Sequence, residues 1–259
     1  MKPSNRFGQA ILALALGGLG TAFAPVANAA AFVDFSSSVD AVVEIIEINA
    51  ETTIPNGVEI SYGNEVTSDE ANWTGLFSFA SSDPFLSPDS PSETMPDLDV
   101  VESDHLNQGR VGADNYGISG NAYTATASEG FLEIFNDSGS AIDVLINVYL
   151  DMTAEVMPST GLQAFSKVDG VVYTSVLLYD DALASQVDID QELSASLTQT
   201  ATSFSLDQNY TYTIEDGDHL TFAMYVNTNA GGTALPVPAT LALMAFGLLG
   251  VGGFRARRA

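Results

Sequence analysis

No cysteine occurs anywhere in the sequence. Disulfides, thiolate nucleophiles and cysteine-containing metal centres are therefore excluded, and stability has to come from burial. Positive charge is nearly as scarce, with 7 basic residues against 33 acidic ones. The basic residues are also unevenly placed. Lys2 and Arg6 stand at the front and Arg255, Arg257 and Arg258 at the back, which leaves Arg110 and Lys167 as the only cations of the middle. All 33 acids lie there, giving it a formal charge of −31. A surface of that sign repels phosphate backbones and anionic headgroups, so nucleic acid is a poor partner. Histidine is limited to His105 and His219. With no G-x-S-x-G elbow, no glycine-rich phosphate cradle and no recognisable acid–base constellation, the expectation is a protein that is not an enzyme.

The ends of the chain are apolar where the middle is acidic. Two positive charges within Met1 to Arg6, an uncharged run from Ala10 to Leu19, and the small residues Ala27 and Ala29 around Asn28 form the pattern of a secretory signal peptide over residues 1–29. Leu235 to Phe254 is a second uncharged run, of 20 residues. As a helix it would reach about 30 Å, enough to cross the hydrocarbon core, with Arg255, Arg257 and Arg258 held on the cytoplasmic side. The expectation is an acidic exported domain over residues 30–234, followed by a transmembrane tail over 235–259.

Within the middle, apolar residues alternate. Ile142, Val144, Ile146, Val148 and Leu150 share one parity, and Leu220, Phe222, Met224 and Val226 repeat the pattern. So does the segment from Val187 to Leu197, where the spacing of Leu183 and Val187 also leaves a helix open. Apolar runs at Val42 to Ile48, Phe131 to Phe135 and Val171 to Tyr179 read as further strands. Asn56-Gly57, Asp137-Ser138-Gly139, Asp169-Gly170 and Asp216-Gly217 read as tight turns between them. Roughly ten short strands without a clear helix predict an all-β fold, an antiparallel β-sandwich, with jelly-roll and immunoglobulin-like topologies both open and a barrel as the alternative.

The stretch from about 81 to 120 departs from this rhythm. Pro84, Pro88, Pro91 and Pro96 lie among serines and acids and predict a long exposed loop. It contains Asp97, Asp99, Glu102 and Asp104, four carboxylates of the kind Ca²⁺ takes, which makes them the one candidate metal site. The EF-hand pattern is not met, because its sixth position would be Glu102 in place of glycine and its twelfth Gln108 in place of a carboxylate. A solvated acidic loop, with no cofactor, is the default. Aromatic residues raise the other binding question. Trp73, Phe77 and Phe79 fall on one parity, as a half-buried strand would place them, and predict core packing; Tyr210, Tyr212 and Tyr225 are the second candidate group for a sugar-facing surface.

Pro236, Val237, Pro238, Ala239 and Thr240, followed by a glycine-punctuated apolar run and Arg255-Ala256-Arg257-Arg258, resemble the PEP-CTERM sorting signal of exported bacterial proteins. Val237 stands where that signal usually has glutamate, as in its V-P-x-P-A variants. The resemblance implies a Gram-negative source, passage through signal peptidase, a transient inner-membrane intermediate, recognition by an exosortase-type enzyme, and delivery to the cell surface or extracellular matrix, often with exopolysaccharide. More loosely, Phe131 to Asn136 with the turn and strand that follow resembles the β-rich bodies of such proteins. The resulting expectation is a structural or adhesion protein of a surface or biofilm matrix. The alternative is a carbohydrate-binding module, with a polysaccharide hydrolase behind it.

Overall fold

A computed structural model describes residues 31–75, 78–87, 90–94, 98, 100–113, 120–158 and 166–236. Eleven strands make up all the regular structure among them: β1 (Ala31–Ile48), β2 (Val58–Thr74), β3 (Phe79–Ser87), β4 (Ser90–Thr94), β5 (Val100–Ala113), β6 (Gly120–Asn136), β7 (Ile142–Pro158), β8 (Ser166–Asp180), β9 (Asp188–Ser196), β10 (Ala201–Ile214) and β11 (His219–Pro236). They form two antiparallel sheets, ordered β10-β7-β1-β5-β3 and β4-β2-β6-β11-β8-β9. The sheets meet face to face, with β1 and β5 of the smaller against β6, β8 and β11 of the larger. Among the described residues each sheet keeps two edges, so the sandwich is open where a barrel would close.

Alternation is what makes the strands. Along β7, Ile142, Val144, Ile146, Val148, Leu150, Met152, Ala154 and Val156 are each at most 1 % exposed, while the residues between them face outward. Leu220, Phe222, Met224 and Val226 do the same on β11. Burying a side chain of this size stabilises by about 1.5–3 kcal/mol. The segment at Val187 to Leu197 is a strand, β9, rather than a helix. Gly57, Gly139 and Gly217 adopt φ values of 84°, 83° and 84° at three of the expected turns.

Several expectations are corrected. The strands are long, up to 18 residues. Asp169-Gly170 is not a turn but lies inside β8; glycine is there because a Cβ on Gly170 would come within 2.7 Å of Val33 Cγ1 across the sandwich. Much of the expected loop at 81–120 is strand: β3, β4 and β5, the last being an interior strand of the smaller sheet. Its inner parity carries Ser103, His105 and Asn107 in place of aliphatic residues, so hydrophobic period could not reveal it. Leu235 and Pro236, the first residues of the expected tail, pair with Lys167 and Ser166 of β8. No helix among the described residues is long and apolar enough to cross a membrane; most of the expected span lies outside them.

Those inner residues of β5 belong to a polar belt through the middle of the core. Ser37 on β1, Ser103, His105 and Asn107 on β5, Thr124, Thr126 and Ser128 on β6, Thr174 on β8 and Thr228 on β11 are all buried. The belt separates a large aliphatic cluster, which holds Ile146 and Phe222, from a smaller alanine-rich one, which holds Ala122, Ala154 and Ala230. It also ties the sheets together. Thr126 Oγ1 donates to Asn107 Oδ1 over 2.9 Å, Asn107 Nδ2 donates to the Thr228 hydroxyl, and Ser128 Oγ donates to Ser103 Oγ over 3.2 Å.

Candidate ligand-binding face

The outer face of the larger sheet is where the alternation leaves aromatic rings in solvent. Over the alanine-rich end of the core, β11 runs between β6 and β8, and cross-strand register sets Tyr123, Gly231 and Val171 in one row. The next row along β11 sets Ala125, Asn229 and Tyr173 side by side. Because Gly231 has no side chain, the row is open at its middle, and a trough of about 510 Å³ lies between the flanking side chains. A Cβ at Gly231 would lie 3.0 Å from the Ala122 carbonyl and 3.3 Å from Tyr123 Cδ2, so any other residue would fill the floor.

Tyr123 (39 % exposed) and Tyr173 rise from the two flanking strands, with Val171 (54 % exposed) beside Tyr173. Both hydroxyls are anchored. Tyr123 donates to Asn229 Oδ1 over 3.1 Å, and Tyr173 donates to Glu192 Oε1 on β9 over 2.7 Å. The bond to Glu192, with burial, raises the Tyr173 phenol above its usual pKa. Asn229 Nδ2 is in turn held by Asn227 Oδ1 at 3.0 Å. Each ring therefore stands fixed with its face available, and the floor adds backbone and amide groups. Farther along the same face, Tyr179 and Tyr225 stack with centroids 6.4 Å apart. A concave surface of rings, one anchored amide and little bulk suits the apolar faces and hydroxyls of a sugar chain.

The residues expected to matter are distributed differently. Trp73 is not core but 54 % exposed, and Phe79 is 45 % exposed. The chain turns at Gly75 (φ 98°) between them, so they occupy different sheets and do not share the single strand parity that core packing required. Phe77 lies outside the described residues. Tyr212 is core, edge-on to Phe222 at 5.6 Å, and donates to Asp180, whereas Tyr225 does reach the aromatic face.

Of the acidic candidates, Asp97 and Asp99 lie outside the described residues, while Glu102 and Asp104 share the outer face of the smaller sheet. There Asp104, Asp40 and Asp151 sit directly opposite one another on β5, β1 and β7. Burial, then Glu102, Asp104 and Asp151, push the Asp40 carboxyl up to about 6. Among the described residues, no three His, Asp or Glu side chains gather around a point that could hold a metal ion. Arg110 is committed to a two-pronged pair with Asp34, at 2.5 and 3.0 Å. His105 is sealed in the belt with neither ring nitrogen partnered, and His219 lies on the surface 3.7 Å from Asp181. Ala27, Ala29, Val237, Pro238, Ala239, Thr240, Arg255, Arg257 and Arg258 lie outside the described residues.

The trough was not found from sequence, although Gly231-Gly232 inside a strand pattern is a signal of close approach or an open surface. No protein-family model matches the chain, and no curated protein matches it in sequence.

Proposed function

We propose that this is a non-enzymatic, exported protein of the cell surface or extracellular matrix that acts in adhesion or matrix structure by holding a polysaccharide on the outer face of its larger sheet. The observation that carries the reading is the placement of Tyr123 and Tyr173 on the two strands flanking β11, above a floor opened by Gly231. Stacking on both rings would orient a sugar, and Asn229 would read its hydroxyls.

The charge of the surroundings narrows the ligand. Asp169 lines the trough and Glu192 stands behind Tyr173. A uronic or sulfated chain would meet repulsion there, so the polysaccharide is neutral or amino-bearing. Glycan-array binding by the full chain should be confined to such sugars; binding confined to sulfated or uronic chains would refute the assignment.

Delivery rests on the sequence of the two ends. The signal-peptide pattern and the PEP-CTERM-like tail favour export, exosortase-type processing near Pro236 to Thr240, and release at the surface of a Gram-negative cell. Mass spectrometry of secreted material should find the chain ending before Leu241. An intact Arg258 in every fraction would instead indicate a plain membrane anchor.

A further inference from the structure

We propose that the outer edge of β10 is a self-association interface, at which a second copy of the chain adds its own β10 antiparallel, with the twofold axis at Leu206. Four strands end the two sheets, and three carry a feature that discourages further pairing. β3 contains Pro84, β4 is 5 residues long and contains Pro91, and β9 sets Asp188, Asp190 and Glu192 at alternate positions. β10 has none of these. It runs 14 residues without proline, lysine or bulge, and Asp207 is its only charged side chain in a body of formal charge −31.

The direction of its backbone groups is fixed. Val156 N donates to the Thr200 carbonyl, so even-numbered residues of this segment face β7. Gln186 Nε2 donates to the Thr211 carbonyl at 2.8 Å from the other side, so odd-numbered residues face the free edge. The Gln186 contact occupies one end of that edge, and Thr202, whose hydroxyl donates to the Ser194 carbonyl on β9, occupies the other. Ser203 to Tyr210 remains between them, and no strand among the described residues pairs with its outer side.

Antiparallel pairing must oppose odd residues to odd residues, which limits the axis to a residue centre. An axis at Asp207 would set that carboxylate against itself, and one at Gln208 would require the Thr211 carbonyl that Gln186 already holds. The axis at Leu206 avoids both. It opposes Ser205 to Asp207 of the second copy and Ser203 to Asn209 of the second copy, polar pairs that can bond across the outer face. It also covers Phe204 and Leu206, partly buried residues packed on the rim of the core. Since both bodies are strongly acidic, the association should tighten with salt as the Debye length falls to about 3 Å at 1 M.

The absence of native cysteine makes the test direct. In the full chain purified in detergent, Leu206→Cys should give a disulfide-linked dimer on mild oxidation, because residues facing each other across a non-hydrogen-bonded pair lie about 4.5 Å apart at Cα, within disulfide range. Glu70→Cys, on an exposed position of β2, should stay monomeric. Ser205→Pro, which removes an outward donor while leaving the β7 ladder intact, should weaken self-association of the unoxidised chain by about tenfold or more in sedimentation velocity. The proposal is overturned if Leu206→Cys cross-links no better than Glu70→Cys, if Ser205→Pro associates as the parent does, or if the parent stays monomeric in 1 M salt.

Discussion

The Tyr123 hydroxyl on β6 donates to Asn229 Oδ1 on β11 over 3.1 Å, and that bond holds the ring upright at the rim of the trough. Ring and tether can be separated. Tyr123→Phe keeps the stacking surface and loses the anchor, and should weaken polysaccharide binding about fivefold, the worth of one hydrogen bond. Tyr123→Ala removes both and should weaken it by roughly tenfold or more. Titration calorimetry on the two variants checks the order; equal losses would show that the ring face does not contribute.

His105 makes the protein sensitive to acid. Burial, opposed only by Asp69, lowers its pKa to about 4. The unfolded chain takes up the proton near 6.5 and the folded one only near 4, so this contribution is complete above about 6.5 and is lost as pH falls toward 4, in total about 3 kcal/mol. His105→Leu should flatten that part of the stability profile in urea unfolding between pH 7.5 and pH 4.5. An unchanged difference between variant and parent across that range would show that the imidazole does not titrate in this way.

Asp40 acts in the opposite direction. Its carboxyl is raised to about 6 by burial and by Glu102, Asp104 and Asp151, so the folded state favours the neutral form. That stabilisation is full below about 4 and is lost as pH rises through about 6. Asp40→Asn should therefore be more stable than the parent at pH 8, by on the order of 0.5 kcal/mol for relief of like charges set directly opposite. Thermal melts at pH 8 and pH 4 would show the gain at the first and its disappearance at the second.

The first hairpin carries avoidable strain. Ile48 and Glu51 exchange backbone bonds of 2.9 and 3.0 Å around Asn49 (φ 53°) and Ala50 (φ 63°). Asparagine tolerates that region, and Asn49 Oδ1 also accepts from the Asp143 amide at 2.9 Å, but alanine gains nothing there. Ala50→Gly should stabilise the protein by about 1 kcal/mol, read as a higher thermal midpoint.

The parts of the fold that sequence revealed are those where one parity is continuously aliphatic. Ile142 to Leu150 on β7 and Leu220 to Val226 on β11 announce both their strand and its buried face, because burial and period have the same cause there. β5 escaped because its inward residues are polar: Ser103 and Asn107 are buried by hydrogen-bonding across the belt, and His105 lies buried between them. Trp73 was misplaced because the chain turns at Gly75 and sends Phe79 into the other sheet, so the single strand over residues 73–79 that its reading depended on does not exist. The trough could not be assembled from spacing at all. Tyr123, Tyr173 and Gly231 lie on three strands far apart in the chain, and only the register of β6, β11 and β8 brings them into neighbouring rows.

The most direct measurement is affinity electrophoresis of the parent and of a Tyr123→Ala/Tyr173→Ala double variant through gels containing a neutral or amino-bearing polysaccharide, with circular dichroism to confirm that both are folded. The parent should be retarded in proportion to polysaccharide concentration, and the folded double variant should migrate as it does in a gel without sugar. Equal retardation of the two, or no retardation of the parent in any such gel, would contradict the account.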